Sequence, residues 1–454
     1  MTAGTVLHVR WEELRRRVEA LPAEIDQWRE DAKDVLNMQA HHSQIEAIRS
    51  ITSALIDDQR TTLQGLDPRG ALAKFEADNF TLVKKVIKAQ RIWNFFRSKL
   101  DLRLSKFKDE LWTADTIAWN CHRPVLNKAV EFQILSGDLL REPPLIYLAA
   151  GFSPVTWCRG TRPNDGRTPF LDEFKLPIPV IELPWDHVGN AWEFLSIHHE
   201  AGHDIEADLN IRDELRESME AKLSTAAIPQ SRIDIWLSWQ AEILADLIAL
   251  QLAGSAFTDQ LMNLLMLPPA TVLTFDEEDP HPNHYLRILM NAAYVRTLVA
   301  GYQPLQEDAT RIESTWKSLY GNDVDAKLAD FLNDFAVVFT SLMDTPLTAL
   351  KNKTLRELMP FVQADDTRIR SAANYMCTGM ARPSLEPRHA VSGARIALNK
   401  AAEDGILTPL LLDDIQKRTM ELVRRNAAPG LRGGGGAAHN AFLIKGFMEA
   451  FPDD

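Results

Sequence analysis

Through residues 1 to about 135 the apolar positions recur three and four apart. Trp11, Leu14, Val18, Leu21, Ile25, Trp28, Ala32 and Val35 make a heptad-like seam, which places them on one face of a helix. Pro22 interrupts it. An interior proline removes a backbone hydrogen bond and clashes with the preceding turn, so the pattern predicts two helices meeting near Leu21. The early interruption also favours an intramolecular core over a dimer interface; oligomeric state does not follow from the sequence. A further helical pattern runs from Phe75 to Asp115, with Leu82, Val86, Ile87, Ile92, Phe95, Phe96 and Leu100 on its apolar faces.

From about residue 140 the texture changes. Pro143-Pro144-Leu145-Ile146-Tyr147-Leu148 and Ile178-Pro179-Val180-Ile181-Glu182-Leu183 are short β-prone runs set among Gly, Pro and Asp, which predicts a small sheet. Pro179 fits an edge strand better than a central one. Beyond Arg287 the pattern is helical again, through Leu305 to Tyr320, Val324 to Met343, Leu347 to Phe361 and on to Arg425. Gly433 to Gly436 reads as a linker or loop, followed by an apolar group at Phe442, Leu443, Ile444 and Phe447 that could dock as a terminal segment. The predicted fold is mainly α with a small β-sheet, in three regions: 1–135 helical, 136–300 carrying the chemistry, and 301–454 helical.

The chemistry centres on His199-Glu200-Ala201-Gly202-His203. Trp192, Leu195 and His199 stand at helical spacing with Phe194 and Ile197 beside them, so this HExxH motif falls on a largely buried helix. Two imidazoles four residues apart share a helix face and can bind one zinc ion. The carboxylate of Glu200 then sits beside the metal, placed to take a proton from water and hand it to a leaving amine. His198 lies about 100° around the helix and is assigned to packing or to the substrate pocket.

A catalytic zinc site generally takes three protein ligands and leaves a fourth position open. The metzincin arrangement fails, because Glu206 and Leu209 occupy the positions where its glycine and third histidine would stand. Glu206 is an alternative ligand one turn after His203; otherwise it and Asp208 read as solvated acids. Trp236, Trp239, Ile243, Leu247 and Leu250 outline a core-seeking helix that nonetheless carries Glu242 and Asp246, four apart on one face. A buried carboxylate costs several kcal/mol or more unless paired or metal-bound. Glu242 is therefore the third ligand and Asp246 the acceptor for the outer N–H of His199, fixing its tautomer.

These residues resemble a known group. HExxH followed by Glu-x-x-Ala-Asp-x-x-Ala, Glu242 to Ala249, is similar to the gluzincin metallopeptidases and in particular to the HtpX and CAAX prenyl protease family. His281-Pro282-Asn283-His284-Tyr285-Leu286-Arg287-Ile288 matches that family's downstream His-Pro-x4-Arg-Ile element. The resemblance covers three short motifs within residues 192 to 290. It implies a zincin-like core, with His281 or Arg287 stabilising the oxyanion of the tetrahedral intermediate and the strand Val180 to Leu183 as the edge along which an extended peptide pairs. His281 is preferred to His284 on the family-like spacing. Those relatives are integral membrane enzymes, whereas this chain has no apolar run of ~18 or more residues that could span a bilayer.

Composition narrows the setting. A formal charge of −13 argues against broad nucleic-acid or anionic-membrane binding. Cys121, Cys158 and Cys377 are widely separated and form no CxxC pair, which points to a reducing compartment, and the first ten residues show no secretory pattern, so a cytoplasmic location is expected. Arg388-His389 reads as structural. The expected function is a zinc metallopeptidase with one Zn²⁺ per chain, acting on a peptide or protein substrate. The alternatives are a non-catalytic zincin-fold scaffold and a zinc hydrolase of a non-peptide amide.

Overall fold

The computed structural model describes residues 2–137, 141–161, 176–321, 324 and 326–427. Gly433–Gly436 and the apolar residues after it lie outside the described residues. The protein is mainly helical with one small sheet, as the hydrophobic pattern predicts.

The first helix, α1 (Ala3–Ala32), is continuous, and Pro22 lies inside it. The predicted break near Leu21 does not occur. The proline costs about 3 kcal/mol in an isolated helix, but the unbroken helix buries Leu14 and Val18 in one apolar cluster and Leu21, Ile25, Trp28 and Ala32 in the next. At roughly 1.5–3 kcal/mol for each buried Leu, Ile or Val, the burial outweighs the proline. The seam packs within the chain, against α2 (His42–Gly65) and α3 (Leu72–Asp101). The second pattern, expected to run to Asp115, divides after Asp101, and α4 (Lys108–Glu131) follows a short turn.

The sheet has the order β1 (Leu145–Ala149), β3 (Val180–Pro184), β2 (Val155–Trp157), with β1 parallel and β2 antiparallel to β3. Val180–Leu183 thus lies in the central strand, not at the edge expected for it, and the edges are Leu145–Ala149 and Val155–Trp157. Pro179 precedes the paired segment, so its missing N–H breaks no rung, while its carbonyl accepts from Leu145 N at 2.9 Å. Strand alternation makes the sheet a partition. Leu145, Tyr147 and Val180 face the N-terminal helices, whereas Ile146, Leu148, Ile181 and Leu183 face the main core. Arg103, fully buried, ties the layers by donating to Asp115 Oδ1 at 2.7 Å and to the Ile146 carbonyl at 2.6 Å.

The main core runs from Leu111 to Val391. Its centre is α5 (Ser196–Leu209), which carries the HExxH motif, followed by α6 (Arg212–Thr225), α7 (Gln230–Ser238), α8 (Gln240–Ala253), α9 (Ala256–Leu264) and α10 (His284–Leu298). Helices α11 (Gln303–Tyr320) and α12 (Phe335–Met343) complete this layer. Of the expected helix from Leu347 to Phe361 only the short turn Leu355–Leu358 forms. Leu347 instead pairs with Lys353 around a tight turn with Lys351 and Asn352 at positive φ, and Glu214 accepts the N–H groups of Thr348 and Ala349. Helices α13 (Gln363–Thr378), α14 (Pro387–Glu403) and α15 (Pro409–Asn426) share a further cluster around Met376, Ala394 and Leu422. No helix of the described residues is long and apolar enough to cross a membrane.

Candidate metal centre

Two helices form the site. The four-residue spacing on α5 sets His199 and His203 side by side, their rings edge to face and their Nε2 atoms 3.2 Å apart. Helix α8 crosses α5 so closely that a Cβ placed on Gly202 would stand 2.9 Å from Ala245 Cα and 3.1 Å from its carbonyl oxygen. Glycine in the motif, facing alanine on α8, is what lets the helices touch. Glu242, one turn before Ala245, then reaches both histidines, with Oε2 3.3 Å from His199 Nε2 and Oε1 3.4 Å from His203 Nε2. His199, His203 and Glu242 together could hold a metal ion.

Asp246, fully buried, accepts from His199 Nδ1 at 2.7 Å through Oδ1, the contact anticipated for it. The same carboxylate takes two bonds from Arg287, Nη2 to Oδ1 at 2.8 Å and Nε to Oδ2 at 2.7 Å, and one from Asn291 Nδ2 at 3.1 Å. Arg287 is therefore braced against Asp246, with Nη2 3.5 Å from Glu242 Oε2. It comes from α10, whose first turn is capped by the Asn283 side chain accepting from Tyr285 N and Leu286 N. His281 sits on the loop before that helix, about half exposed. Its Nδ1 lies 3.0 Å from Asp279 Oδ1 and its Nε2 3.7 Å from Glu242 Oε2. The loop is joined to α8 through Trp239 Nε1, which donates to the Asp279 carbonyl at 3.0 Å. His284 is half-buried and stands at the start of α10.

Charge is balanced locally. Burial opposes a charged His199, but Asp246 and Glu242 outweigh it and lift its pKa to about 10. Burial likewise opposes ionised Glu242, yet His199, His203 and Arg287 hold it far below the ordinary carboxylate range. Asp246 is held down to about 2, against its burial, chiefly by Arg287. Both acids are thus anionic across the physiological range, as metal ligation and imidazole orientation require.

The group opens onto a cleft of about 520 Å³ to which Glu200 and His281 also contribute. Glu200 itself is largely buried. The neighbouring acids differ from expectation. Glu206 and Asp208 are buried, not solvated, because each has polar partners: Arg212 with Glu206 at 2.6 Å, and Arg141, Arg159 and the buried imidazole of His122 with Asp208, each at 2.9 Å. That commitment turns Glu206 away from a ligand role. His198 is fully buried, with Nδ1 3.1 Å from the Leu195 carbonyl, and His389 is also fully buried; both belong to packing.

Several contributors escape a sequence reading. Phe257 lies parallel to the His199 ring with centroids 6.2 Å apart, and nothing in its local pattern marks it. Asn291 could have been found as the residue one turn after Arg287 on the same face. The strand beside the site, Val155–Trp157, is three residues long, too short for an alternation signal. Comparison with known proteins finds no matching family model, no matching curated protein and no matching solved structure.

Proposed function

We propose that this chain is a zinc-dependent peptidase of the gluzincin kind, with His199, His203 and Glu242 as metal ligands and Glu200 as general base. The observation that carries the reading is the donor triangle. The two imidazole Nε2 atoms lie 3.2 Å apart and each faces one oxygen of the Glu242 carboxylate, at 3.3 and 3.4 Å, near the roughly 3.3 Å between ligand atoms of a tetrahedral zinc with bonds of about 2.0–2.1 Å. Two imidazole nitrogens and one carboxylate also suit zinc better than magnesium or calcium, which prefer all-oxygen shells. A strand edge that is unpaired among the described residues lies beside the cleft, which favours a peptide over a small amide.

His199, His203 and Glu242 would hold the zinc, which when bound would supply a water of lowered pKa and a polarised carbonyl. Asp246 holds a proton on His199 Nδ1, so that a metal would displace only the proton on Nε2 and take up that lone pair. Glu200 accepts the proton of the attacking water and returns it to the departing amine. Arg287 is committed to Asp246, so of the two cations implied by the resemblance we assign the oxyanion to His281, whose Nε2 points at the cleft. Arg287 positions Asp246 and Glu242.

Metal analysis and turnover test this together. The wild type should carry about one zinc per chain, and Glu242→Ala should lose it. Glu200→Gln should keep zinc and lose cleavage of a mixed peptide pool. Zinc bound equally by Glu242→Ala, or full turnover by Glu200→Gln, would overturn the assignment.

A further inference from the structure

The cleft has two chemically different ends, and the strand beside it gives them a direction. Strand β2 runs alongside α5: Thr156 Oγ1 lies 3.4 Å from the Glu200 carbonyl, and Cys158, just past the end of the strand, lies beside Asp204, further along the helix. Going from Ser153 to Cys158 is therefore going from the His199 end of the site to the His203 end. At the His199 end stands α9. Its Gln260 Nε2 donates at 3.1 Å to Glu193, just before α5, its Phe257 stacks on His199, and Leu261 and Leu264 continue an apolar wall. Beyond His203 the cleft meets Arg212. That side chain is more than half exposed; its Nη2 donates to Glu206 at 2.6 Å, and among the described residues its Nε and Nη1 donate to no side chain or carbonyl.

One edge of β2 pairs antiparallel with β3. Its other edge pairs with no strand among the described residues, and β2 and the residues before it line the cleft. An extended peptide joining that edge gains most from antiparallel pairing, the slightly more stable arrangement. Such a peptide runs opposite to β2, with its amino end toward Cys158 and Arg212 and its carboxyl end toward Ser153 and Phe257. The metal triangle lies between.

Building on the peptidase reading, we propose that the cleft selects peptides by polarity along the chain. They carry a carboxylate side chain on the amino side of the cut bond, bound by the free N–H groups of Arg212. On the carboxyl side they carry a large apolar residue, received by Phe257, Leu261 and Leu264. The protein's net charge of −13 disfavours acidic peptides at long range, so any acidic preference must come from this local contact. Glu206 holds the guanidinium at the cleft wall and leaves its other donors for a second carboxylate.

Two measurements test the proposal. The zinc-loaded wild type is given a mixed peptide pool and its cut sites are mapped by mass spectrometry, with Glu200→Gln as blank. Asp and Glu should be enriched about fivefold before the cut, and Phe, Leu and Met about tenfold or more directly after it. Arg212→Glu should reverse the first preference toward Lys and Arg and keep the second. In parallel, fluorescence anisotropy follows binding of two short labelled peptides, one with Glu and one with Lys before a Gly-Leu bond, to zinc-loaded Glu200→Gln. The Glu peptide should bind several-fold tighter. Cuts without acidic enrichment would overturn the proposal and leave the peptidase reading standing. Absence of any cut together with tighter Glu-peptide binding would remove the peptidase reading and keep the polarised cleft; equal binding of the two peptides would remove the polarised cleft whatever the pool shows.

Discussion

Gly202→Ala puts the geometry of the centre to a direct test. The added methyl would meet Ala245 at 2.9 Å from Cα, 3.1 Å from the carbonyl oxygen and 3.3 Å from Cβ. None of these atoms is the end of a flexible side chain, so α8 must move. Restoring ordinary carbon contacts of about 3.5–4.0 Å requires a separation of at least about 0.6 Å. Glu242 travels with α8, and a shift of that size exceeds the tolerance of roughly 0.2 Å on a metal–ligand bond. The expected result is metal affinity weakened tenfold or more, and metal-free stability lowered by about 1–3 kcal/mol through overpacking. Competition against a chromophoric chelator measures the first, and urea unfolding of the metal-free protein the second. A variant with wild-type affinity and an unchanged unfolding midpoint would refute the claim that helix contact at Gly202 sets the position of Glu242.

Other expectations follow from the buried charges. Asp246→Ala frees the His199 ring and strands Arg287 in the interior, so zinc affinity should fall about 10- to 100-fold and stability by about 3–5 kcal/mol; a zinc titration with unfolding of the metal-free variant checks both, and a change in neither would contradict the bracing role. His281→Ala should retain zinc while lowering kcat roughly 100-fold or more; unchanged kcat would remove it from the oxyanion site. Asp115 is held below the ordinary carboxylate range, since Arg103 and His41 overcome the opposing effect of its burial. A depressed folded pKa stabilises above the unfolded value near 3.9 and loses that contribution as pH falls below it. Asp115→Asn should therefore unfold more easily than wild type at pH 6 in urea, with the gap shrinking at pH 3; a constant gap would contradict the linkage.

Particular residues show how far the sequence reaches. His199, His203, Glu242 and Asp246 were legible because helical periodicity is local. Two residues four apart share a face whatever the helix packs on, and acids on an otherwise apolar face demand a partner. Asp246 beside His199 follows from that logic, and the structure has it. The same reasoning misjudged Pro22, because a local helix penalty was weighed without the two clusters that the unbroken α1 fills. It misjudged Glu206 and Asp208 too, whose partners Arg212, His122, Arg141 and Arg159 come from other elements or the next turn.

The sequence by itself determined the mainly helical class, the small sheet before α5, and the pairing of imidazoles with acids, since each rests on spacing of a few residues. Only the tertiary structure decided strand order, and with it that Val155–Trp157 is an edge strand and Val180–Pro184 the centre. It alone committed Arg287 to Asp246 and left His281 at the cleft. The reason is physical: propensity and period act between near neighbours along the chain, whereas strand order and the choice of ion-pair partner are set by long-range burial that brings residues dozens of positions apart into contact.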